Sequence, residues 1–180
     1  MFVFSPLVSA YRWNTIPSEM NPRVYVETSI PSFYYQTRSE PEMLARQQWT
    51  RTWWDECRDQ YSLVTSVPVL DELERGDYPA KKDALKLIRT IPLVPVEEAV
   101  ADIVDGYIKH KVMPHDPVGD ALHLALASYH RCDFLLTWNC RHLANANKFA
   151  HIRRVNTLLG LYVPLLVTPL ELLGGKEDAS

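Results

Sequence analysis

Two short runs late in the chain, 134-FLLTW-138 and 163-VPLLVTP-169, limit the possible folds most. Each is continuously apolar rather than alternating, the pattern of a strand covered on both faces of its sheet. Such strands need helices above and below them, and the rest of the chain supplies helical patterns. Residues 24–26 and 61-YSLVTS-66 read as two more strands, rich in β-branched and aromatic residues. Between them, 39-SEPEMLARQQWTRTWWDECRD-59 reads as a helix: Ser39 and Glu42 have capping-box spacing, Pro41 fits the first turn, and Ala45, Trp49, Trp53 and Cys57 form a stripe. Further helices are expected at 68-PVLDELERG-76, stopped by Gly76, and at 79-PAKKDALKLIRTI-91. Another is expected at 97-EEAVADIVDGYIKHK-111, with Val100, Ile103, Val104, Tyr107 and Ile108 inward, and an apolar one at 120-DALHLALASYH-130. The stretch 92-PLVPV-96 fits a short strand or an extended connection. Residues 142–160 fit one or two helices ended by Gly160, and residues 170–173 a short last helix. Strands alternating with helices predict an α/β domain with a central, mostly parallel sheet flanked by helices.

A chain of 180 residues suits a single domain. Residues 1–22 differ from the patterned part and are expected to form a poorly ordered N-terminal extension, with the domain over 23–173 and a polar tail over 174–180. A net charge of −3 gives no whole-protein attraction to nucleic acid, although a local basic patch can still contact phosphate. Cys57, Cys132 and Cys140 are odd in number and lack C-x-x-C spacing, which points to reduced thiols and no zinc site. The apolar start, 1-MFVFSPLVSAY-11, is too short to span a bilayer and lacks the basic start of a secretion signal, so a cytoplasmic protein without a membrane segment is expected.

In open parallel sheets, binding sites form beyond the carboxyl ends of the strands. The polar residues expected there are Glu27, Thr28 and Ser29 after the first strand, and Thr65 and Ser66 after the second, followed by Asp71 and Glu72 on the next helix. Asp120 starts an apolar helix, and Asn139, Arg141 and His142 follow FLLTW. If these ends converge, Glu27, Glu72, Asp120 and Asn139 share a pocket. Clustered carboxylates raise one another's pKa unless a cation neutralises them, and hard oxygen ligands suit Mg²⁺ or Mn²⁺. A divalent cation there lowers the pKa of a bound water and stabilises charge on phosphorus, which favours phosphodiester hydrolysis. Taken singly, each residue has a plainer explanation. Glu27 could cap a loop, Asp120 could be an N-cap, Asp71 and Glu72 could be solvated, and Asn139 and Asp116 could be turn residues. His123, inside an apolar helix, fits a packed histidine better than a ligand, and the tryptophans fit a core better than a base-stacking surface.

The segments VETS, SVPVLDELERG, GDALHLALA and LLTWN-C-RHLANA, in that order, resemble the PIN domain family, and most closely its VapC-type toxin ribonucleases. The resemblance covers residues 23–173 and implies a three-layer fold with a parallel sheet of about five strands. By position it puts the family's acids on Glu27, Glu72 and Asp120, with Asn139 at the fourth site position. Glu27, Asp120 and Glu72 would bind Mg²⁺ or Mn²⁺, and Thr28, Ser29 and Thr137 would support them. Arg141 and His142 are candidates for phosphate contact, and the Lys81, Lys82, Lys86 and Arg89 group could be a solvated face. The implied activity is endonucleolytic RNA cleavage, with a cognate antitoxin and a homodimer as partners. Two positions depart from the family pattern. Glu27 stands where aspartate is usual, and Asn139 removes one negative charge. A catalytically weak or inactive module that binds RNA or a protein partner is therefore the rival expectation. A metal-dependent phosphatase is a third, without the D-x-D arrangement it would need.

Overall fold

The computed structural model describes residues 21–113 and 119–173. The expected extension and tail, apart from Asn21 and Pro22, lie outside these residues, as does Asp116. The first strand, β1 (Arg23–Val26), sits at the centre of the molecule. Val24, Tyr25 and Val26 are all fully buried, so both faces of this strand are covered. The chain continues through α1 (Ser29–Tyr34), α2 (Pro41–Glu56) and a 3-10 turn to β2 (Ser62–Ser66), then α3 (Val67–Arg75), α4 (Lys81–Ile88) and β3 (Leu93–Val94). It returns through α5 (Glu98–Lys109) and α6 (Asp120–Tyr129) to β4 (Phe134–Leu136), α7 (Ala146–Leu158), β5 (Leu165–Val167) and α8 (Pro169–Leu173). The sheet order is β3-β2-β1-β4-β5, and every pairing is parallel. Helices flank the sheet in a three-layer α/β arrangement. Here α5 packs on α6, α1 on α2 and α4, and α2 on α8.

This order sets the place of the site. The chain builds outward from β1 through β2 to β3, then crosses back to lay β4 on the other side of β1. The order therefore reverses between β1 and β4, the kind of switch point at which open parallel sheets form their binding sites. The register keeps those ends level, with Val26 beside Leu136 and Leu136 beside Val167.

Several local expectations are corrected. The helix expected from Ser39 begins at Pro41 with Glu40 as N-cap, and no side chain caps it. The capping box does not form, because Glu42 turns outward to pair with Arg46 at 2.6 Å. Helix α1 is not among the helices expected from the sequence, since six residues with a proline give too little periodicity. Pro31 is tolerated there because first-turn N–H groups have no helical partner. FLLTW is strand only to Leu136; the Thr137 N–H still bonds the Val167 carbonyl, and the Trp138 and Asn139 N–H groups then leave the ladder for side-chain hydroxyls. VPLLVTP pairs only over Leu165–Val167, between two prolines, and as the edge strand it is not covered on both faces: Leu165 is 50% exposed. Gly76 ends α3 at an ordinary φ of −63°, and a Cβ added there would lie 2.8 Å from Cε1 of Tyr78, so that ring would have to shift. Trp53, Trp54 and Trp138 are core, and Trp49 stacks on Trp138. No described helix is long and apolar enough to cross a membrane.

Candidate metal centre

Glu27 is the first residue past β1, and its backbone N–H still bonds the Leu136 carbonyl at 3.2 Å. That contact keeps the residue in line with the strand, and its side chain is only 7% exposed. A carboxylate so buried needs donors, and it has three, all on Oε2. They are the Ser29 amide at 3.1 Å, the Ser29 hydroxyl at 2.5 Å and the Thr137 hydroxyl at 2.8 Å. Ser29 Oγ in turn accepts the Trp138 N–H at 2.8 Å, and Thr137 Oγ1 accepts the Asn139 N–H at 2.9 Å. The two amides freed where β4 leaves the sheet thus reach Glu27 through two hydroxyls. Of the polar residues expected to support the acids, Ser29 and Thr137 donate to Glu27, and Thr28 donates to Glu72. Among the described residues, Oε1 of Glu27 accepts no hydrogen bond.

Glu72 comes from α3, which starts directly after β2. Its Oε2 accepts the Thr28 hydroxyl at 2.5 Å, and its Oε1 lies 3.1 Å from Nε2 of His123. Burial alone would raise the Glu72 carboxyl, but hydrogen bonds from His123 and Thr28, with the charges of His123 and Arg75, hold it below the ordinary range. His123 shows the mirror image: burial pulls it down, and Glu72 with the charges of Glu27 and Asp120 lifts it above the ordinary value. The other ring nitrogen, Nδ1, lies 2.9 Å from the Tyr25 hydroxyl, which is 2.7 Å from Ser66 Oγ. Burial holds the Tyr25 phenol well above its ordinary range, so it stays neutral.

Asp120 is the first helical residue of α6, and Gly119 is the N-cap, so Asp120 does not act as one. Its Oδ1 accepts the Asn139 side-chain amide at 2.7 Å. Burial raises its carboxyl, and the hydrogen bond from Asn139 with the charges of His142 and His123 only partly offsets that. Asn139 also accepts the His142 N–H on Oδ1 at 3.2 Å, which turns the chain away from β4.

Of the four residues expected to share a pocket, Glu27 and Glu72 come together, and the third member of their group is His123. Among the described residues, the ligand atoms that gather within 4.8 Å of one another are those of Glu27, Glu72 and His123. Asp120 lies beside them, engaged by Asn139 rather than joined to the group. Two carboxylates and an imidazole suit a divalent cation, so the donor set fits a metal. His123 was read as a packed histidine, and it is one, at 1% exposed. Its spacing carried a signal, since three residues after Asp120 puts both on one face of α6. Tyr25 carried a similar one, two residues before Glu27 on the same face of β1. Arg141 is exposed and His142 half-buried at the rim, while Asp71 faces solvent on α3. In the basic group of α4, Arg89 pairs with Glu74 at 2.7 Å on the surface. No protein-family model matches the chain, and no curated protein matches it.

Proposed function

We propose that the chain is a metal-dependent endoribonuclease of the PIN type, acting as the toxin of a toxin–antitoxin pair with a cytoplasmic site of action. The observation that carries this reading is the gathering of Glu27, Glu72 and His123 at the switch point of a parallel sheet, with Asp120 and Asn139 beside them. Glu27 and Glu72 would hold Mg²⁺ or Mn²⁺, and the bound cation supplies a water of lowered pKa and charge compensation at phosphorus. Ser29 and Thr137 fix the Glu27 carboxylate through Oε2. Asn139 orients Asp120, whose raised carboxyl suits a group that takes a proton from an attacking water. His142 and Arg141 stand at the rim, where a phosphate backbone would pass. The test is cleavage of a panel of structured RNAs with and without EDTA by the parent, Glu27→Ala and Asp120→Ala. Cation-dependent cleavage by the parent alone is expected. Equal cleavage by all three proteins would sink the assignment.

A second reading has its own observation. The Asn139 amide occupies Asp120 Oδ1, and Glu72 is hydrogen-bonded at both oxygens, so much of the pocket is satisfied without a cation. A module that binds RNA or a protein partner without cleaving would look the same. It predicts retention of RNA with no cleavage at millimolar Mg²⁺ or Mn²⁺.

A further inference from the structure

We infer that His123 is a direct nitrogen ligand of the metal and that Tyr25 and Ser66 hold its ring in place for that role, which makes the site selective for Mn²⁺-like cations over Mg²⁺. The inference deepens the proposed function by specifying its cofactor, and rests on that reading for the site's purpose.

Three observations carry it. Nε2 of His123 and Oε1 of Glu72 are 3.1 Å apart. Adjacent ligands at right angles on a cation about 2.1 Å away are separated by roughly 3 Å, so the pair already has the spacing of two neighbouring ligands. Second, Glu27 is buried and directs three donors to Oε2, while Oε1 accepts none among the described residues. Glu27 also places a carboxylate oxygen in the same 4.8 Å group as the imidazole and Glu72, and two carboxylates with a ring nitrogen form a donor set that suits a cation. Third, the far nitrogen of the ring is secured. Metal-bound imidazoles donate their second N–H to a fixed acceptor, which orients the ring and raises its basicity. Here Nδ1 lies 2.9 Å from the Tyr25 hydroxyl. That hydroxyl can pass its own proton on to Ser66 Oγ at 2.7 Å. Tyr25 is fully buried on the central strand and Ser66 stands at the end of β2, so the ring is held by the sheet itself. An imidazole ligand favours borderline transition cations, whereas Mg²⁺ prefers oxygen alone.

The test loads the full-length protein with Mn²⁺ alone and records pulsed electron paramagnetic resonance, which detects a directly bound ¹⁴N. The expected spectrum shows a single imidazole nitrogen, absent in His123→Gln. Tyr25→Phe keeps the tilted ring contact with His123 and the nitrogen signal while weakening Mn²⁺ about 10–100-fold. Mn²⁺ should also displace Mg²⁺ at equal concentration. Mn²⁺ bound in a Glu27-dependent way without the nitrogen signal overturns this inference and leaves the nuclease reading standing. A nitrogen signal in a protein that cleaves no RNA upholds the inference and defeats that reading. No Mn²⁺ binding at all defeats both.

Discussion

At residue 139 an amide sits where one more carboxylate would complete an acidic ring. Asn139→Asp replaces the donor to Asp120 with a like charge, beside a carboxyl that burial already raises. Loss of a hydrogen bond to a charged group costs about 1.5–3 kcal/mol, so the metal-free variant should unfold at lower urea than the parent. Added Mn²⁺ should restore more stability to the variant than to the parent, because the second carboxylate becomes a ligand. Urea titrations with EDTA and with Mn²⁺ check both halves; a variant as stable as the parent in EDTA contradicts the contact. The His123–Glu72 pair sets a pH dependence in EDTA. His123 is raised in the folded state, so its contribution is full below its unfolded value of 6.5 and fades as pH climbs through the folded one. Glu72 is lowered, so its contribution is present above its unfolded value of 4.5 and fades as pH drops through the folded one. The pair therefore supports the fold most between pH 4.5 and 6.5, and the alkaline loss should flatten in Glu72→Gln. Denaturant midpoints taken across pH 4–8 in EDTA (roughly the span over which both groups titrate) provide the check. Glu27 and Asp120 stood out in the sequence because one follows a strand and the other opens a helix, and Glu72 because its helix starts directly after a strand. The place of His123 in the group was not, because hydropathy treats it as one more residue of an apolar helix, and only the fold turns its ring toward Glu72.

Among the elements, the junction after β4 does two jobs. Its freed amides serve Glu27, and its Trp138 ring is wedged between strand and α2. Trp138 donates Nε1–H to Thr50 at 2.7 Å, stacks on Trp49 and lies beneath the Arg46 guanidinium. Trp138→Ala should cost about 3–5 kcal/mol, as large aromatic truncations in cores do. It should also weaken Mn²⁺ binding by displacing Asn139 and Thr137, whereas a purely structural role would leave the affinity of the folded fraction unchanged. At the end of α3, Gly76→Ala presses a methyl into the Tyr78 ring. Overpacking of this kind costs about 1–3 kcal/mol, partly offset by about 0.4–1 kcal/mol from the stiffer unfolded chain. Adding Tyr78→Ala should remove the clash, so the double variant should be less destabilised than the sum of the singles. Element type and order were readable from hydrophobic period, since α3, α4 and α5 each bury one face of a regular stripe. Boundaries were less so. The ends of β4 and the start of α2 depend on which side chains capture backbone groups, and α1 is too short to show a period.

For the whole molecule, a bound cation should act as a tie between distant segments. At a free Mn²⁺ concentration a hundredfold above its dissociation constant, linkage adds about 2.7 kcal/mol to stability. For a domain of this size that corresponds to roughly 5–10 °C in Tm, which Glu27→Ala should abolish in a thermal scan. The parallel sheet could be read from apolar runs, but the neighbouring of β1 and β4 could not, because strand order leaves little trace in local sequence. That neighbouring has a bearing on synthesis. Glu27 emerges early, while His123, Thr137 and Asn139 follow only after β2 and β3 have been made. A ribosome that has released the first half of the chain has released no complete pocket. The activity proposed here would thus be withheld from each nascent polypeptide until β4 slots in beside β1, giving the cell that makes it an interval of safety set by translation rather than by an inhibitor.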